Sequence, residues 1–254
     1  GGARLFHFGY PPLMKRMYEN GGAELAELLR KVKEAGLTVS MDMAKPDPNS
    51  EAGAVDWKAL LAAVLPHVDV FLPSFDELLF MLNRPLFDRL AEQGDDLGRH
   101  ADEALLSWLS GSLLEMGAAV AAIKLGENGL YMRTTSDRRR IERMGAAKPA
   151  NPDAWLGREL LAECYRVEAA GTTGAGDCTI AGWLCALLKG LKPEEALQSA
   201  VAAGACNVER ADATSGIPAW ETMQARMQAG WDKRPHALAL PHWRYDAAAQ
   251  LWFG

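Results

Sequence analysis

The chain has 254 residues, of which 49% are hydrophobic and 24% are charged, and its net charge is −6. These proportions are typical of a soluble globular protein, and the length suits one large α/β domain or one domain with a small appendage. The negative charge argues against a dedicated nucleic-acid binder, because no basic field would attract a phosphate backbone. No stretch approaches the ~18 apolar residues that a membrane-spanning helix needs, so we expect no membrane partner.

Short apolar runs alternate with helical patterns through the first two-thirds of the chain. Strands are predicted at 5–8, 37–41, 68–72 and 118–123. Leucines and valines at helical spacing predict one helix that is stopped by Gly36 and another that is stopped by Pro66. Near-continuous apolar strands separated by helices indicate a mostly parallel sheet that is flanked by helices on both faces.

The pattern becomes helical after residue 176. Helices are predicted over 177–190, 194–210 and 219–230. The last stretch, 231–254, has no clear period and predicts either a wrapped tail or an interface segment. The run Arg138-Arg139-Arg140 is too short for a nucleic-acid patch, so we predict a solvated loop or strand end there.

The four cysteines, Cys164, Cys178, Cys185 and Cys206, form no CxxC pair and no zinc-type spacing. In a chain of this length with no visible signal peptide, they are predicted to be reduced thiols, which indicates a cytoplasmic protein. Cys178 adjoins Asp177, and the simplest interpretation is a small residue that packs in a helix.

The most informative stretch is residues 171–177, which read GTTGAGD. Gly174, Ala175 and Gly176 allow backbone N–H groups to turn toward one point, and a helix that begins there adds its unpaired amides and the positive end of its dipole. Such a loop is an anion site with the Asp177 carboxylate at its edge. It predicts phosphoryl transfer to a hydroxyl, and the alternative is a glycine-rich loop in which Asp177 is only the helix N-cap.

This heptad closely resembles the second signature of the ribokinase-like (PfkB) carbohydrate kinases, D-T-x-G-A-G-D. The resemblance implies that the amides of Gly174, Ala175 and Gly176 form an anion hole for the transferred phosphoryl group. It also implies that Asp177 is the general base for the acceptor hydroxyl. Thr173, inside the same heptad, is taken as a nucleotide-binding residue.

Two more stretches resemble the family in the expected order. Residues 123–129, IKLGENG, match its strand–turn–strand K-x-G-x-x-G, which implies that Lys124, Gly126 and Gly129 border the nucleotide. Alone, this pattern is more often an ordinary hairpin turn. Residues 69–82 resemble the strand end and helix that carry N-x-x-E, which implies that Glu77 holds the water network of Mg²⁺, although a lone Glu on a helix is usually only solvated.

A fourth stretch, 202–208, resembles the segment that lines the adenine pocket in the family. It implies that Gly204 and Asn207 are neighbours of the nucleotide, with a well-packed alanine-rich helix as an equal alternative. The resemblance as a whole runs from about Phe6 to Met227, and the shared order of the four matches is more specific than any one of them.

Three departures from the family pattern stand out. Gly171 replaces the first Asp of the heptad, which helps to bind a monovalent cation in the family, so the resemblance does not extend to potassium. Ser74 replaces the Asn of N-x-x-E. The opening strand, the sugar-contacting glycine pair and the β-lid have no counterpart, so either the sequence is a fragment or the protein lacks the usual sugar-recognition section. We expect the first, a single ribokinase-like domain over 1–254 that is truncated at its N-terminus. Family members often pair through the lid, which implies a homodimer.

The leading hypothesis is an ATP- and Mg²⁺-dependent kinase that phosphorylates a hydroxymethyl group of a sugar or sugar-like molecule. Two alternatives remain. In the first, the protein is a kinase of the same fold whose acceptor is a nucleoside or a pyrimidine alcohol. In the second, the protein is a catalytically weak, nucleotide-binding regulator.

Overall fold

The computed structural model describes residues 2–94 and 97–254, so Gly1, the first residue of the predicted domain, lies outside the described residues. The strands are β1 (Leu5–Phe8), β2 (Thr38–Met41), β3 (Val70–Phe71), β4 (Val120–Lys124), β5 (Leu130–Thr134), β6 (Glu159–Ala162), β7 (Arg244–Asp246) and β8 (Leu251–Phe253). The helices are α1 (Lys15–Tyr18), α2 (Ala23–Glu34), α3 (Trp57–Val64), α4 (Phe75–Leu82), α5 (Arg84–Ala91), α6 (Glu103–Glu115), α7 (Arg138–Glu142), α8 (Ala175–Leu188), α9 (Pro193–Val208) and α10 (Trp220–Gln228).

The chain divides into two compact units, and the division falls within β4 and β5. Unit 1 comprises residues 1–123, 132–158 and 238–240, and unit 2 comprises residues 124–131, 159–237 and 241–254. The mostly parallel sheet with helices confirms the predicted α/β class. The prediction of one kinase domain over 1–254 stays a prediction.

Parallel strands form the centre of unit 1, as the apolar runs predicted. β1 pairs with β2, β2 with β3 and β3 with β4, all in parallel, with Phe6 opposite Val39 and Phe71 opposite Ala121. All four residues of β2 are buried, and so are the first four of β4. Such strands are typical of a sheet that is covered on both faces.

The first two predicted helices of unit 1 have the expected ends. α2 stops at Glu34, two residues before Gly36, whose φ of +80° is a conformation that glycine adopts without strain. α3 begins after Asp56, whose carboxylate accepts the Ala59 N–H at 3.0 Å, and it ends just before Pro66. Local signals therefore mark the end of α2 and both ends of α3.

The arginine run differs from the prediction of a solvated loop or strand end. It forms α7, in which Arg138 and Arg139 are exposed but Arg140 is mostly buried. Arg140 Nη1 donates to Asp69 Oδ1 at 2.7 Å, and its other nitrogens donate to the Val68 and Gly117 carbonyls, each at 2.7 Å. The prediction was wrong for Arg140 because its partner, a fully buried carboxylate, lies 71 positions away in the chain.

Helices α8 and α9 of unit 2 pack closely through glycine. A Cβ at Gly182 would lie 2.7 Å from both the Ala203 Cβ and the Ser199 carbonyl oxygen. A Cβ at Gly204 would lie 2.4 Å from Thr179 Oγ1. Both distances are shorter than van der Waals contact, so glycine at these positions lets the two helices approach each other. Gly204 therefore has a packing role of its own.

The C-terminal stretch, whose role the sequence left open, wraps onto unit 2 as an additional antiparallel edge. β8 pairs with β6 and β7 pairs with β8, with Leu161 opposite Trp252. Just before them, residues 231–237, which we call the tail segment, run antiparallel to residues 164–166, with Tyr165 opposite Lys233. Of the two predicted roles for the C-terminal stretch, these pairings agree with a wrapped tail.

Lys233 anchors the tail segment in a mostly buried position. Its Nζ donates to the Gln198 side-chain oxygen and, at 3.1 Å, to the Glu163 carbonyl, and it lies 3.5 Å from the centre of the Tyr165 ring. Burial lowers the pKa of Lys233 to about 7, against a weaker opposite effect of the Cys164 and Glu163 charges.

This buried lysine predicts a pH-dependent stability. Between pH 7 and the ordinary lysine pKa near 10.5, the unfolded chain binds a proton at Lys233 that the folded chain does not bind. The free energy of unfolding should therefore rise with pH from 7 to 9, by at most about 1.4 kcal/mol per pH unit from this group. Urea unfolding at several pH values measures the slope.

The matched pair of variants for this prediction is Lys233→Met and Lys58→Met, the latter at an exposed position of α3. We expect Lys233→Met to flatten the slope between pH 7 and 9 and Lys58→Met to leave it unchanged. If Lys233→Met kept the wild-type slope, Lys233 would not be neutral in the folded protein.

The structure also bears on the cysteines and on the apolar character of the helices. All four cysteines are free, and Cys178 is buried within α8 as predicted. Within 2–94 and 97–254, none of the helices has the length and apolar character that crossing a bilayer requires.

Candidate functional site

Helix α8 begins at the glycine-rich heptad, inside unit 2. Gly174 is its N-cap, with φ of +77° and ψ of 0°, and a Cβ there would lie 2.7 Å from the Ala213 carbonyl oxygen. Both facts require glycine. The helix then has 14 residues, so its first-turn amides and its dipole favour an anion at this end.

Asp177 is exposed and lies in the first turn of α8, three positions after the N-cap. The alternative in which Asp177 is the helix N-cap is therefore wrong, because Gly174 occupies that position. Of the three predicted amides, that of Ala175 donates to the Thr172 carbonyl at 3.2 Å, within the turn itself. The roles of Asp177 and of the anion hole stay predictions.

Gly171, the departure at the start of the heptad, has a steric explanation in this structure. A Cβ at position 171 would lie 3.0 Å from Ala211 Cα and 3.1 Å from its carbonyl oxygen. These contacts are tighter than usual, so the loop that follows α9 would have to shift slightly to admit a side chain at position 171. Asn207 holds the same loop, since its Nδ2 donates to the Ala213 carbonyl at 2.7 Å.

Lys124 and the turn after it lie beside the start of α8. The Cδ, Nζ and Cε atoms of Lys124 lie 3.7–3.9 Å from the position of a Cβ at Gly176. Gly126 has φ of +58°, and Gly129 has φ of +104° with room for no side chain, because a Cβ would lie 2.0 Å from the Ala162 carbonyl oxygen. The predicted strand–turn–strand is confirmed, and it brings the lysine to the predicted anion site.

A cavity of about 700 Å³ opens beside these residues, lined entirely by unit 2. Six predicted residues line it: Lys124, Gly126, Gly129, Ala175, Gly176 and Gly204. The other four predicted residues of unit 2, Thr173, Gly174, Asp177 and Asn207, are not among its lining residues. Asn207 is fully buried, and its side chain supports the loop that follows α9.

The cavity also has lining residues that the motifs did not indicate. An apolar wall includes Val201, Ala205 and Val208, and two arginines, Arg166 and Arg234, join Lys124. Glu127 is the acidic lining residue, and it forms an ion pair with Arg234 at 2.6 Å. Arg166 follows β6 along the chain, so its place near a strand end was a usable signal, whereas nothing local marked Arg234.

Glu77, the predicted metal anchor, lies in unit 1 at the start of α4. Its carboxylate accepts the Ser74 N–H at 2.6 Å, and Ser74 Oγ accepts the Glu77 N–H at 3.3 Å. This pair is a capping box that stabilises the first turn of the helix. Serine in place of asparagine is therefore compatible with the local fold. Among the described residues, no three potential ligand side chains cluster as a metal site, and the role of Glu77 stays a prediction.

Comparison with known protein families found a match that spans all four motif stretches. Residues 14–220 match the family model described as pfkB family carbohydrate kinase. A search of curated proteins found no match.

Three solved structures illustrate the likeness in fold. A ribokinase from Thermotoga maritima has a TM-score of 0.54 and 20% identity, over 89% of this chain and 57% of that one. An E. coli protein described as a candidate ribokinase II, in complex with ATP and Mg²⁺, has a TM-score of 0.59 and 21% identity, over 89% and 58%. The aminoimidazole riboside kinase from Salmonella enterica, in complex with aminoimidazole riboside and an ATP analogue, has a TM-score of 0.55 and 20% identity, over 89% of this chain and 63% of that one. The chain thus spans about 60% of the length of these structures.

Proposed function

Because the chain belongs to the pfkB family of carbohydrate kinases, we propose that it transfers a phosphoryl group from ATP to a hydroxyl of a sugar or sugar-like small molecule. The acceptor group in this proposal is a hydroxymethyl. The observation that carries the proposal is the start of α8. Asp177 follows the glycine N-cap in the first turn, the Lys124 side chain lies next to Gly176, and Ala175 and Gly176 line the cavity.

Each residue has a chemical task in this proposal. Asp177, exposed in the first turn, accepts the proton of the acceptor hydroxyl as its oxygen attacks. The backbone amides of Gly174 and Gly176, together with the helix dipole, bind the negative charge that spreads over the phosphoryl oxygens, while the Ala175 amide holds the turn. Lys124, whose amine lies next to Gly176, adds a positive charge at the same place.

The residues around the cavity fit a nucleotide. Its volume of about 700 Å³ is within the range of cofactor sites, roughly 300–1,000 Å³. Apolar residues from α9 suit a flat base, and Lys124, Arg166 and Arg234 suit a polyanion. ATP supplies the phosphoryl group when it is bound. On the resemblance alone, we assign Glu77 to the water network of Mg²⁺.

Each of the two alternative functions is supported by one observation. A nucleoside acceptor is favoured by the fold likeness to a riboside kinase. A catalytically weak, nucleotide-binding regulator is favoured by Gly171 and Ser74, the two departures from the family motifs. The cytoplasmic location and the homodimer stay predictions.

A panel of acceptors separates these functions. The chain is incubated with Mg²⁺ and ATP plus one acceptor at a time: sugars with a free hydroxymethyl group, nucleosides, or pyrimidine alcohols. We expect ADP release that depends on a sugar, with a phosphorylated sugar as product. ADP release that depends only on nucleosides would show that the acceptor is a nucleoside and not a sugar. Nucleotide binding without a phosphorylated product from any acceptor of the panel would contradict the kinase proposal.

A further inference from the structure

The tail segment lies outside the part of the chain that matches the family, residues 14–220. It is nevertheless held against the cavity by backbone hydrogen bonds. The Arg166 N–H donates to the Asp232 carbonyl and the Arg234 N–H donates to the Cys164 carbonyl, both at 2.8 Å. Residues 164–166 line the cavity, so the tail segment is the neighbour of a cavity wall.

The tail segment also binds the turn that follows Lys124. Arg234 Nη2 lies 2.6 Å from Glu127 Oε2, and the Ala237 N–H donates to Asn128 Oδ1 at 2.9 Å. Glu127 and Asn128 are the two unspecified positions between the glycines of K-x-G-x-x-G. In this chain, therefore, the variable residues of the motif hold a segment that the family match does not include.

Aromatic packing fixes the backbone of the tail segment. The Trp231 ring stacks on Tyr165 with 4.4 Å between centroids, and the Arg226 guanidinium lies 3.6 Å from the Trp231 centroid. Trp231 Nε1 donates to the Arg166 carbonyl at 3.0 Å, and Lys233 covers Tyr165. The Arg234 backbone is thus positioned firmly, while 53% of its side chain remains exposed.

We propose that Arg234 is a nucleotide-binding residue, whose guanidinium leaves Glu127 and binds the phosphates of a nucleoside triphosphate in the cavity. This inference rests on the proposed function. An ion pair whose two side chains are about half exposed is weak, so a bound polyphosphate with several charged oxygens competes well with the Glu127 carboxylate. Arg234 and Glu127 both line the cavity, so the guanidinium can exchange partners without movement of the backbone.

The test compares nucleotides that differ only in their phosphates. Isothermal titration calorimetry of the full chain with ATP, ADP and adenosine, at one fixed salt concentration, measures each dissociation constant. We expect Arg234→Gln to weaken ATP binding about tenfold or more and to leave adenosine binding unchanged, because only the phosphates lose a charge-assisted hydrogen bond. Glu127→Gln should strengthen ATP binding severalfold, because it removes the competitor.

The matched control is Arg244→Gln, an exposed arginine of β7 that makes the same change in net charge, and it should bind ATP as the wild type does. Arg234→Lys should restore part of the affinity, and urea unfolding shows whether each variant is folded. Equal losses for ATP and adenosine, or no loss for ATP, would overturn the role of Arg234 and leave the kinase proposal standing. A wild-type chain that bound no ATP would instead contradict the proposed function itself.

Discussion

Asp177→Asn should lower kcat by at least about a hundredfold and leave the dissociation constant of ATP nearly unchanged. Asparagine has almost the same size as aspartate but accepts no proton, and a positioned general base contributes roughly 10²–10⁴ to a rate. Asp177 is exposed and does not line the cavity, so its loss should not disturb nucleotide contacts. ADP release with the best acceptor of the panel gives kcat, and calorimetry gives the ATP affinity.

A second substitution shows whether the effect belongs to this carboxylate. Asp232→Asn removes one negative charge from an exposed residue of the same unit, and we expect it to turn over at the wild-type rate. If Asp177→Asn retained near-normal turnover, Asp177 would not be the base. A fall in ATP affinity equal to the fall in kcat would indicate a binding role for Asp177 instead.

Asp69→Asn should lower the free energy of unfolding by about 3 kcal/mol or more. The Asp69 side chain is fully buried and accepts from Lys33 Nζ at 2.6 Å, from Arg140 Nη1 at 2.7 Å and from the Val39 N–H at 2.8 Å. Removal of one charge from a buried ionic cluster typically costs about 3–5 kcal/mol, because the opposite charges remain without compensation. The side chains of Lys33 and Arg140 are still 19% and 18% exposed. Because water reaches both partly, we expect a loss at the lower end of the range of about 3–5 kcal/mol. Urea unfolding measures it.

Asp153→Asn is the matched control, because it removes an aspartate from an ion pair of the same helix. Asp153 pairs with Arg138 of α7, and their side chains are 64% and 50% exposed. A pair in water contributes little, so we expect a loss below about 1 kcal/mol. Similar losses for the two variants would show that burial of the Asp69 cluster does not set its contribution to stability.

Elements and motifs that depend on near neighbours in the chain were predictable from the sequence. Gly36 and Pro66 indicated the ends of α2 and α3, and apolar runs indicated β1 to β4. The glycines around Lys124 and before α8 indicated tight turns, and the structure has positive φ at Gly126, Gly129 and Gly174. These features follow from near neighbours in the chain, because helix ends, strand periodicity and turn conformations are local properties.

Contacts between residues that lie far apart in the chain could not be predicted from the sequence and are seen in the folded structure. The run at 138–140 reads as solvated, yet Arg140 binds Asp69 across 71 positions. Gly204 reads as a neighbour of the nucleotide, yet it also lets α8 and α9 pack closely. The tail segment has no period, yet it brings Arg234 to Glu127 across 107 positions. The local pattern around a side chain does not specify a partner far away in the chain, because the folding of the chain brings the two together. For this reason the sequence did not indicate Arg234 as a lining residue of the cavity, and the folded structure does.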